Sequence, residues 1–236
     1  MSICVAFKLL YGELTSADGG GFMKSKSVKI QLILILASLS FGGVTLASTA
    51  LSDPPPNFGP IQNILYEECL LCHDHSGNST SPIFPRLAGQ IQSYLVKELK
   101  AFRDHTRRDP DAFGYMYGPA SALNDNKIQL LAEYFSVQTP TPNSPGDPSR
   151  AKLGEVIFKN GIPANGVPPC YSCHGDSAQG NNFAPRLAGQ SAGYIVRQLE
   201  AFKRDERHEA TTMPIFAKYL TLDQEKDVAN YLQGLN

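Results

Sequence analysis

Apolar side chains recur at helical spacing in two stretches of the chain that lie one hundred residues apart. Steps of four and three residues separate the members of two matching sets: Leu95, Leu99 and Phe102, and Ile195, Leu199 and Phe202. A similar period returns near the end of each stretch: Ile128, Leu131 and Phe135, and Val228, Tyr231 and Leu235. Residues at this spacing share one face of an α-helix, and no run alternates as strands do. The pattern predicts an all-α fold.

The two stretches also share sequence. The hexapeptide Pro-Arg-Leu-Ala-Gly-Gln occupies residues 85–90 and returns at 185–190. Further matches follow it in register: Tyr94, Val96, Ala101, Leu123, Ala132 and Tyr134 correspond to Tyr194, Val196, Ala201, Leu220, Ala229 and Tyr231. A period of this length indicates two copies of one module. We predict domains at residues 51–140 and 148–236, joined by a Pro-rich linker at 141–147 that is extended rather than packed.

Several predicted helices carry recognisable ends. Thr221 and Gln224 have the spacing of a capping box before the final helix, and Asn124 is a candidate N-cap in the first copy. Ser149 is predicted to cap a helix that Gly161 then ends. Each copy is small and buries little apolar surface by itself, so a bound group is expected to complete its core.

Residues 1–50 fall outside the repeat and have the order of an export signal. An apolar run at 30–41 is preceded by three lysines, Lys24, Lys26 and Lys29. Small residues follow the run. This order is typical of a secretory signal peptide cleaved after Ala50 or Ala47, with an uncleaved membrane anchor as the alternative. Met23 begins a complete signal, so we place the start of translation there. Cys4 then lies outside the protein.

The charge of the chain argues against one class of partner, and it differs between the two copies. The formal net charge is −1 over 236 residues, which argues against a nucleic-acid partner. Residues 51–147 hold 7 basic and 11 acidic residues, whereas residues 148–236 hold 10 and 9. Such a difference can orient the molecule toward two different partners by electrostatic steering.

Each copy contains one C-x-x-C-H sequence, and together these use all four cysteines that remain after export: Cys69, Cys72 and His73, and Cys170, Cys173 and His174. The motif is the attachment sequence of c-type haem. Two thiols reach the two vinyl groups of the porphyrin, and the next residue places an imidazole under the iron. A redox dithiol needs no histidine, and a zinc site needs further ligands at finger-like spacing. We therefore predict two covalent haems, which are attached outside the cytoplasm, so the mature protein should be periplasmic.

The opposite face of each haem needs a second ligand. Met116 and Met213 are the only methionines left after export, and each precedes the matched leucine of its copy by seven residues. Count and register favour them as axial ligands over gap-filling core residues. His105 and His208 occupy different places in the repeat and lie in charged stretches that we assign to the surface. His75 is too close to His73 to reach the opposite face.

The repeated hexapeptide supplies supporting candidates in each copy: Pro85, Arg86 and Leu87, and Pro185, Arg186 and Leu187. The proline carbonyls are spaced to accept a hydrogen bond from the haem-binding histidines, which would orient the rings. The leucines would then lie against the porphyrin. The arginines are candidates to pair with haem propionates, with a solvated side chain as the alternative.

The motifs, the Pro-x-Leu-Ala-Gly-Gln segments, the downstream methionines and the closing Ala-x-Tyr helices resemble class I c-type cytochromes, specifically the dihaem type called cytochrome c4. The resemblance runs from about Ile61 to Leu235. It implies two tandem, mostly helical domains, each wrapped around one His/Met-ligated haem, docked with the haems close together. It also implies Cys69, Cys72, Cys170 and Cys173 as the thioether attachments.

The first copy departs from that pattern in two places. The family usually has glycine after the motif histidine, as at Gly175, where the first copy has Asp74. It also places a glycine eight residues before the first motif cysteine and an aromatic residue four residues later. The second copy keeps this pair as Gly154 and Phe158, with an insertion before Cys170. The first copy has Ile61 and Leu65 at these two places instead. We expect a looser or shifted helix contact in the first copy.

Two closed axial positions leave no site for oxygen, peroxide or substrate, so the predicted function is electron transfer without bond-making chemistry. The resemblance implies redox-protein partners, such as an electron donor and a membrane oxidase, and no small-molecule substrate. Two alternative functions are also compatible with the sequence. A dihaem peroxidase would need an open haem and an acid-base group near the iron. A dedicated subunit of a dehydrogenase or oxidase complex would have identical haem sites.

Overall fold

The computed structural model describes residues 59–236. The predicted export segment, its start at Met23 and its cleavage sites after Ala47 or Ala50 lie outside this range. Within it, ten α-helical segments and a few other helical turns follow one another, and no strand is present beyond two isolated bridges. The all-α prediction is confirmed. No helix between residues 59 and 236 is both long enough and apolar enough to cross a membrane.

The first copy begins with a continuous but irregular helical run. A 3-10 turn at Gly59–Ile61 leads into α1 (Gln62–Ile64), a π-helical segment at Leu65–Cys69 and α2 (Leu70–His73). Three further helices follow: α3 (Gln92–Arg103), α4 (Tyr117–Ser121) and α5 (Asp125–Ser136). A second π-helical segment, Ala112–Met116, leads directly into α4.

The second copy begins with a regular helix, α6 (Pro148–Asn160), followed by a 3-10 turn at Pro163–Asn165. The motif helix α7 (Tyr171–His174) and the long α8 (Ala192–Lys203) correspond to α2 and α3. The copy ends with α9 (Met213–Ala217) and α10 (Leu222–Gln233).

Each copy has its own apolar core. Leu65, Ile128 and Leu131 belong to the first cluster, and all its buried members lie between residues 61 and 135. Phe158 and Leu232 belong to the second, whose buried members lie between residues 158 and 232. Residues 51–140 and 148–236 remain our proposed domain boundaries.

Helix α6 crosses α10 at close range, and Gly154 makes that crossing possible. A Cβ atom on Gly154 would lie 2.0 Å from the backbone oxygen of Asp227, a distance that no side chain tolerates. The first copy has Ile61 and Leu65 at the matching places, and both are buried. A 3-10 and π-helical run that contacts α5 stands there in place of the regular helix α6 of the second copy.

The predicted helix ends are partly right. Asn124 Oδ1 accepts a hydrogen bond from Lys127 N at 2.9 Å, and Thr221 and Gln224 form a reciprocal capping box. The prediction that Ser149 caps α6 is wrong. Pro148 takes the first helical position, where its missing N–H is no loss, so Asp147 becomes the cap and its carboxylate accepts from Ser149 N at 2.8 Å.

The linker is extended, as predicted. It is not free of the domains, however, because it forms hydrogen bonds with both copies. Thr141 N donates to Asn78 Oδ1 at 2.9 Å in the first copy, and Asn143 Nδ2 donates to the Gly189 carbonyl at 3.0 Å in the second. Asp147 N donates to Asn230 Oδ1 at 2.8 Å. Hydrogen bonds to both copies therefore hold this segment along the surface.

Candidate haem sites

Both motifs open onto one apolar cavity of about 480 Å³ that runs between the two copies. Its lining includes the four predicted axial residues: His73, Met116, His174 and Met213. Side chains of α3 and α5 form the wall in the first copy, and side chains of α8 and α10 form it in the second. An apolar wall with a few convergent polar groups is typical of a cofactor site.

The short helices α2 and α7 present the thiols. Cys69 and Cys170 are half-buried and line the cavity, as does the more exposed Cys173, whereas Cys72 is half-buried without lining it. Burial raises the pKa of the Cys69 thiol to about 12 and that of Cys170 to about 11. These surroundings therefore suit an uncharged sulfur, which is what a thioether to a haem vinyl group provides.

The two motif histidines are buried and share one orientation. Nδ1 of His73 lies 2.9 Å from the Pro85 carbonyl oxygen, and Nδ1 of His174 lies 2.9 Å from the Pro185 carbonyl oxygen. These are the acceptors that the repeat predicted. Burial lowers the pKa of both rings, so they are neutral near pH 7. A neutral ring that donates from Nδ1 keeps the Nε2 lone pair for a metal ion.

The two methionines contact matching parts of the structure. Met116 ends the π-helical segment of the first copy and packs against its core. Met213 begins α9 and packs against the core of the second copy. Both are half-buried and line the cavity. An apolar cavity that brings a neutral imidazole and a thioether together in each copy fits the donor set of a c-type haem, and the ligand assignment itself remains a prediction.

The other candidates of the hexapeptide divide into two groups. Leu87 and Leu187 line the cavity and pack against their respective cores. The guanidinium group of Arg86 is buried and donates to Asn78 Oδ1 at 2.7 Å and to Thr141 Oγ1 at 2.8 Å, so it is not a solvated side chain. Arg186 is half-buried at the cavity, where burial lowers its pKa.

The remaining histidines lie outside the cavity. His75, His105 and His208 are exposed. The ring of His105 stacks on Tyr117 with 4.0 Å between centroids, and the backbone carbonyl of His75 accepts a hydrogen bond from Tyr134. The surface assignment of His105 and His208 therefore agrees with the structure.

The surface assignment was wrong for Arg207, the neighbour of His208. Its side chain is buried, and so is that of Arg107 at the matching place in the first copy. Both arginines contact Glu98, a residue outside the sites that the sequence predicts. The signal was present, because Arg107 and Arg207 are one hundred residues apart, like the two hexapeptides and the pair Tyr94 and Tyr194.

A second set of contacts joins the copies through the hexapeptide. The side chain of Gln190 accepts from Arg86 N at 2.9 Å and donates to the Arg86 carbonyl at 3.0 Å. Gln90 makes the same pair with the backbone of Arg186 at 2.8 and 3.0 Å. The final glutamine of each hexapeptide thus binds the arginine backbone of the other copy.

Comparison with known proteins supports the sequence resemblance. The family model described as Cytochrome c matches residues 151–236. Cytochrome c-552 of Acidithiobacillus ferridurans is 40% identical over 205 residues, which cover 86% of this chain and 86% of that protein. Cytochrome c4 of Azotobacter vinelandii is 35% identical over 178 residues, which cover 71% and 84%. The solved structure of Acidithiobacillus ferrooxidans cytochrome c4 matches with a TM-score of 0.67 and 45% identity, covering 71% of this chain and 98% of that one.

These similarities confirm the resemblance seen in the motifs and in the repeat, and with it the covalent c-type haems and the role as a carrier. The chain belongs to the cytochrome c4 family of dihaem proteins, which carry electrons and are not enzymes.

Proposed function

We propose that this cytochrome is a periplasmic carrier that passes electrons between respiratory partners, such as from a donor toward a terminal oxidase, through two His/Met-ligated haems. The observation that carries the proposal is the matched pair of sites. Each copy turns a buried histidine toward the cavity through a 2.9 Å contact with a proline carbonyl, and each places one methionine on the same cavity.

Two residues of each copy would hold the haem iron: His73 and Met116 in the first copy, His174 and Met213 in the second. When bound, haem iron supplies a one-electron change between ferrous and ferric forms. The fixed imidazole limits rearrangement during that change because its second nitrogen is already bonded. A thioether is a soft, neutral ligand that favours the ferrous form and raises the reduction potential. The wall around both sites is mostly apolar, which provides a low-dielectric environment.

A cavity that both copies share supports electron transfer between the two haem sites of one molecule. Residues of both copies line it, so the two sites face each other across the contact between the copies. Two haems in one chain can hold two electrons or relay them from one side to the other. The net charge of −4 over residues 51–147 and of +1 over 148–236 supports different partners at the two ends.

The periplasmic location rests on the signal-like segment before residue 51 and on the attachment of c-type haem outside the cytoplasm. Cell fractionation followed by mass spectrometry of the mature protein tests both points. We expect a chain that begins after Ala47 or Ala50, carries two haems and is found with periplasmic proteins. A chain retained in the membrane fraction with its signal intact would favour the anchored alternative.

The test of the ligand assignment is a redox titration of the purified protein with its optical spectrum. We expect two one-electron steps and, in the oxidised protein, a Met–iron charge-transfer band that accounts for both haems. Binding of carbon monoxide to the reduced native protein would contradict closed sites and would support a peroxidase-like role.

A further inference from the structure

One carboxylate is shared by two arginines from opposite copies. Glu98 Oε2 lies 2.6 Å from Arg107 Nη1 in its own copy, and Glu98 Oε1 lies 2.6 Å from Arg207 Nη2 in the other. All three side chains are at most 7% exposed. Burial would raise the pKa of Glu98, but the two arginines hold it below its ordinary value. The carboxylate is therefore ionised and connects the copies inside the protein.

The repeat breaks at this position, because the second copy has Gln198. Its Oε1 accepts from Arg107 at 2.7 Å and from Arg207 at 3.1 Å, and among the described residues its Nε2 has no partner. Each arginine also pairs with a carboxylate of its own copy, Asp109 at 2.7 Å or Glu209 at 2.8 Å. Glu98 is thus the only one of these three carboxylates that reaches both arginines.

The cluster lies at the contact between the copies, on the cavity that both candidate haem sites share. Its matching members line the cavity: Tyr94, Glu98 and Arg107, and Tyr194, Gln198 and Arg207. The arginines also lie over cavity-lining rings of their own copies, 4.6 Å from the Phe102 centroid and 4.4 Å from that of Phe202. A change in the position of either arginine therefore moves one wall of a haem site relative to the other.

We propose that Glu98 is the positioning residue that fixes the two haem sites relative to each other and so sets the rate of electron transfer between them. The proposal rests on the proposed function, because it assumes that electrons pass between the haems. Transfer between two haems slows steeply as their separation grows. Without the Glu98 charge each arginine keeps only the carboxylate of its own copy, Asp109 or Glu209, and no anion remains between the two like-charged guanidinium groups.

The first test is Glu98→Gln, which keeps the shape of the side chain and removes its charge. Three backbone amides donate across the contact and report on opening without reference to haem: Arg86 N, Arg186 N and Arg108 N. We expect their hydrogen exchange to accelerate on the order of 100-fold, while core amides such as that of Leu131 keep their rates. Glu155→Gln is the matched control, since Glu155 forms an exposed pair with Lys159 within α6.

The second test moves the carboxylate to the other copy. The double variant Glu98→Gln with Gln198→Glu keeps the composition and net charge, and residue 198 already contacts both arginines. If a shared carboxylate is what matters, this swap restores the slow exchange of the three amides. It also keeps the proposal testable should Glu98→Gln alone fail to fold. A folded swap variant that exchanges as fast as Glu98→Gln would overturn the proposal.

The functional readout is the rate of electron transfer between the haems after rapid reduction of one of them. We expect it to fall in Glu98→Gln and to return toward the wild-type value in the swap variant. A wild-type rate in Glu98→Gln would overturn the proposal even if amide exchange changed. If the proposed function itself is wrong, the wild-type protein will lack the Met–iron charge-transfer band expected for two haems. None of these variants is expected to change that band, so the two failures can be distinguished.

Discussion

The two copies share a repeated sequence, but they differ in the helix before the C-x-x-C-H motif and in the residue that follows the motif histidine. The second copy keeps Gly154 and Gly175 where backbones approach closely or turn sharply, and it forms a regular helix α6. The first copy has Ile61 and Asp74 at those places and forms an irregular 3-10 and π-helical run. Both nevertheless present a buried histidine to a proline carbonyl at the same distance. The site geometry is therefore maintained by the hexapeptide and the long helices, while the entry helix varies.

The largest expected effect comes from placing the residue of one copy into the other. Gly154→Ile would put a branched side chain where even a Cβ meets the Asp227 carbonyl at 2.0 Å. We expect a loss of more than about 4 kcal/mol in the free energy of unfolding of the second copy, measured by urea denaturation. Gly118→Ala is the control, because nothing lies within 4 Å of its Cβ position and the change should be neutral or slightly stabilising. Equal losses in both variants would contradict the close crossing of α6 and α10.

Replacement of the two proposed methionine ligands should affect the two haem sites separately. We expect Met116→Ala to lower the reduction potential of the first haem, and Met213→Ala that of the second, on the order of 100 mV each, because the thioether favours the ferrous form. Each variant should lose half of the Met–iron charge-transfer band. Potentials measured by spectroelectrochemistry that stay at wild-type values would show that these methionines are core residues and not ligands.

The sequence predicted those parts of the site that are local or repeated. The spacing between motif histidine and proline is short and occurs twice, so the 2.9 Å contacts at Pro85 and Pro185 could be anticipated. Helix ends at Asn124 and Thr221 could also be predicted, because the capping groups lie within four residues of each other.

Contacts between the copies could not be predicted in the same way. The stretch around Arg207 looks charged and exposed along the chain, yet its partner Glu98 is 109 residues away and lies in the other copy. Local charge does not reveal whether a distant partner removes a side chain from water. The position of the linker was missed for the same reason, since its hydrogen bonds go to Asn78 and Gly189.

A buried charge in the second copy has an apolar counterpart in the first. Glu225 on α10 is fully buried, and the matching residue of α5 is the buried Ile128. Burial, with Lys203 opposing it, raises the pKa of Glu225 from 4.5 to about 7. A carboxyl whose pKa is raised on folding binds its proton more tightly in the folded protein. Stability is therefore highest below about pH 4.5 for this group and falls as the pH rises to about 7.

Glu225→Gln should remove that dependence. We expect the variant to be more stable than the wild type by about 2 kcal/mol at pH 8, with little difference at pH 5, because the amide carries no charge to bury. Urea denaturation at the two pH values measures the difference. Ile128→Val, at the matching place, should change stability equally at both pH values. A Glu225→Gln variant that is destabilised at pH 8 would show that the pair with Lys203 outweighs the cost of burial.

The smallest expected effect concerns the residue after each motif histidine. Asp74 has φ +70° and ψ 158°, and Gly175 has nearly the same values, +81° and 157°. Only glycine adopts this region without strain, which costs other residues about 1–3 kcal/mol. Asp74→Gly should therefore stabilise the first copy by about 1 kcal/mol, since the greater freedom of glycine in the unfolded chain offsets part of the relief. The reverse change, Gly175→Asp, should destabilise the second copy by about 2 kcal/mol. Thermal unfolding of the haem-loaded protein compares the two, and a lower melting temperature for Asp74→Gly would mean that the aspartate makes a contact worth more than its strain.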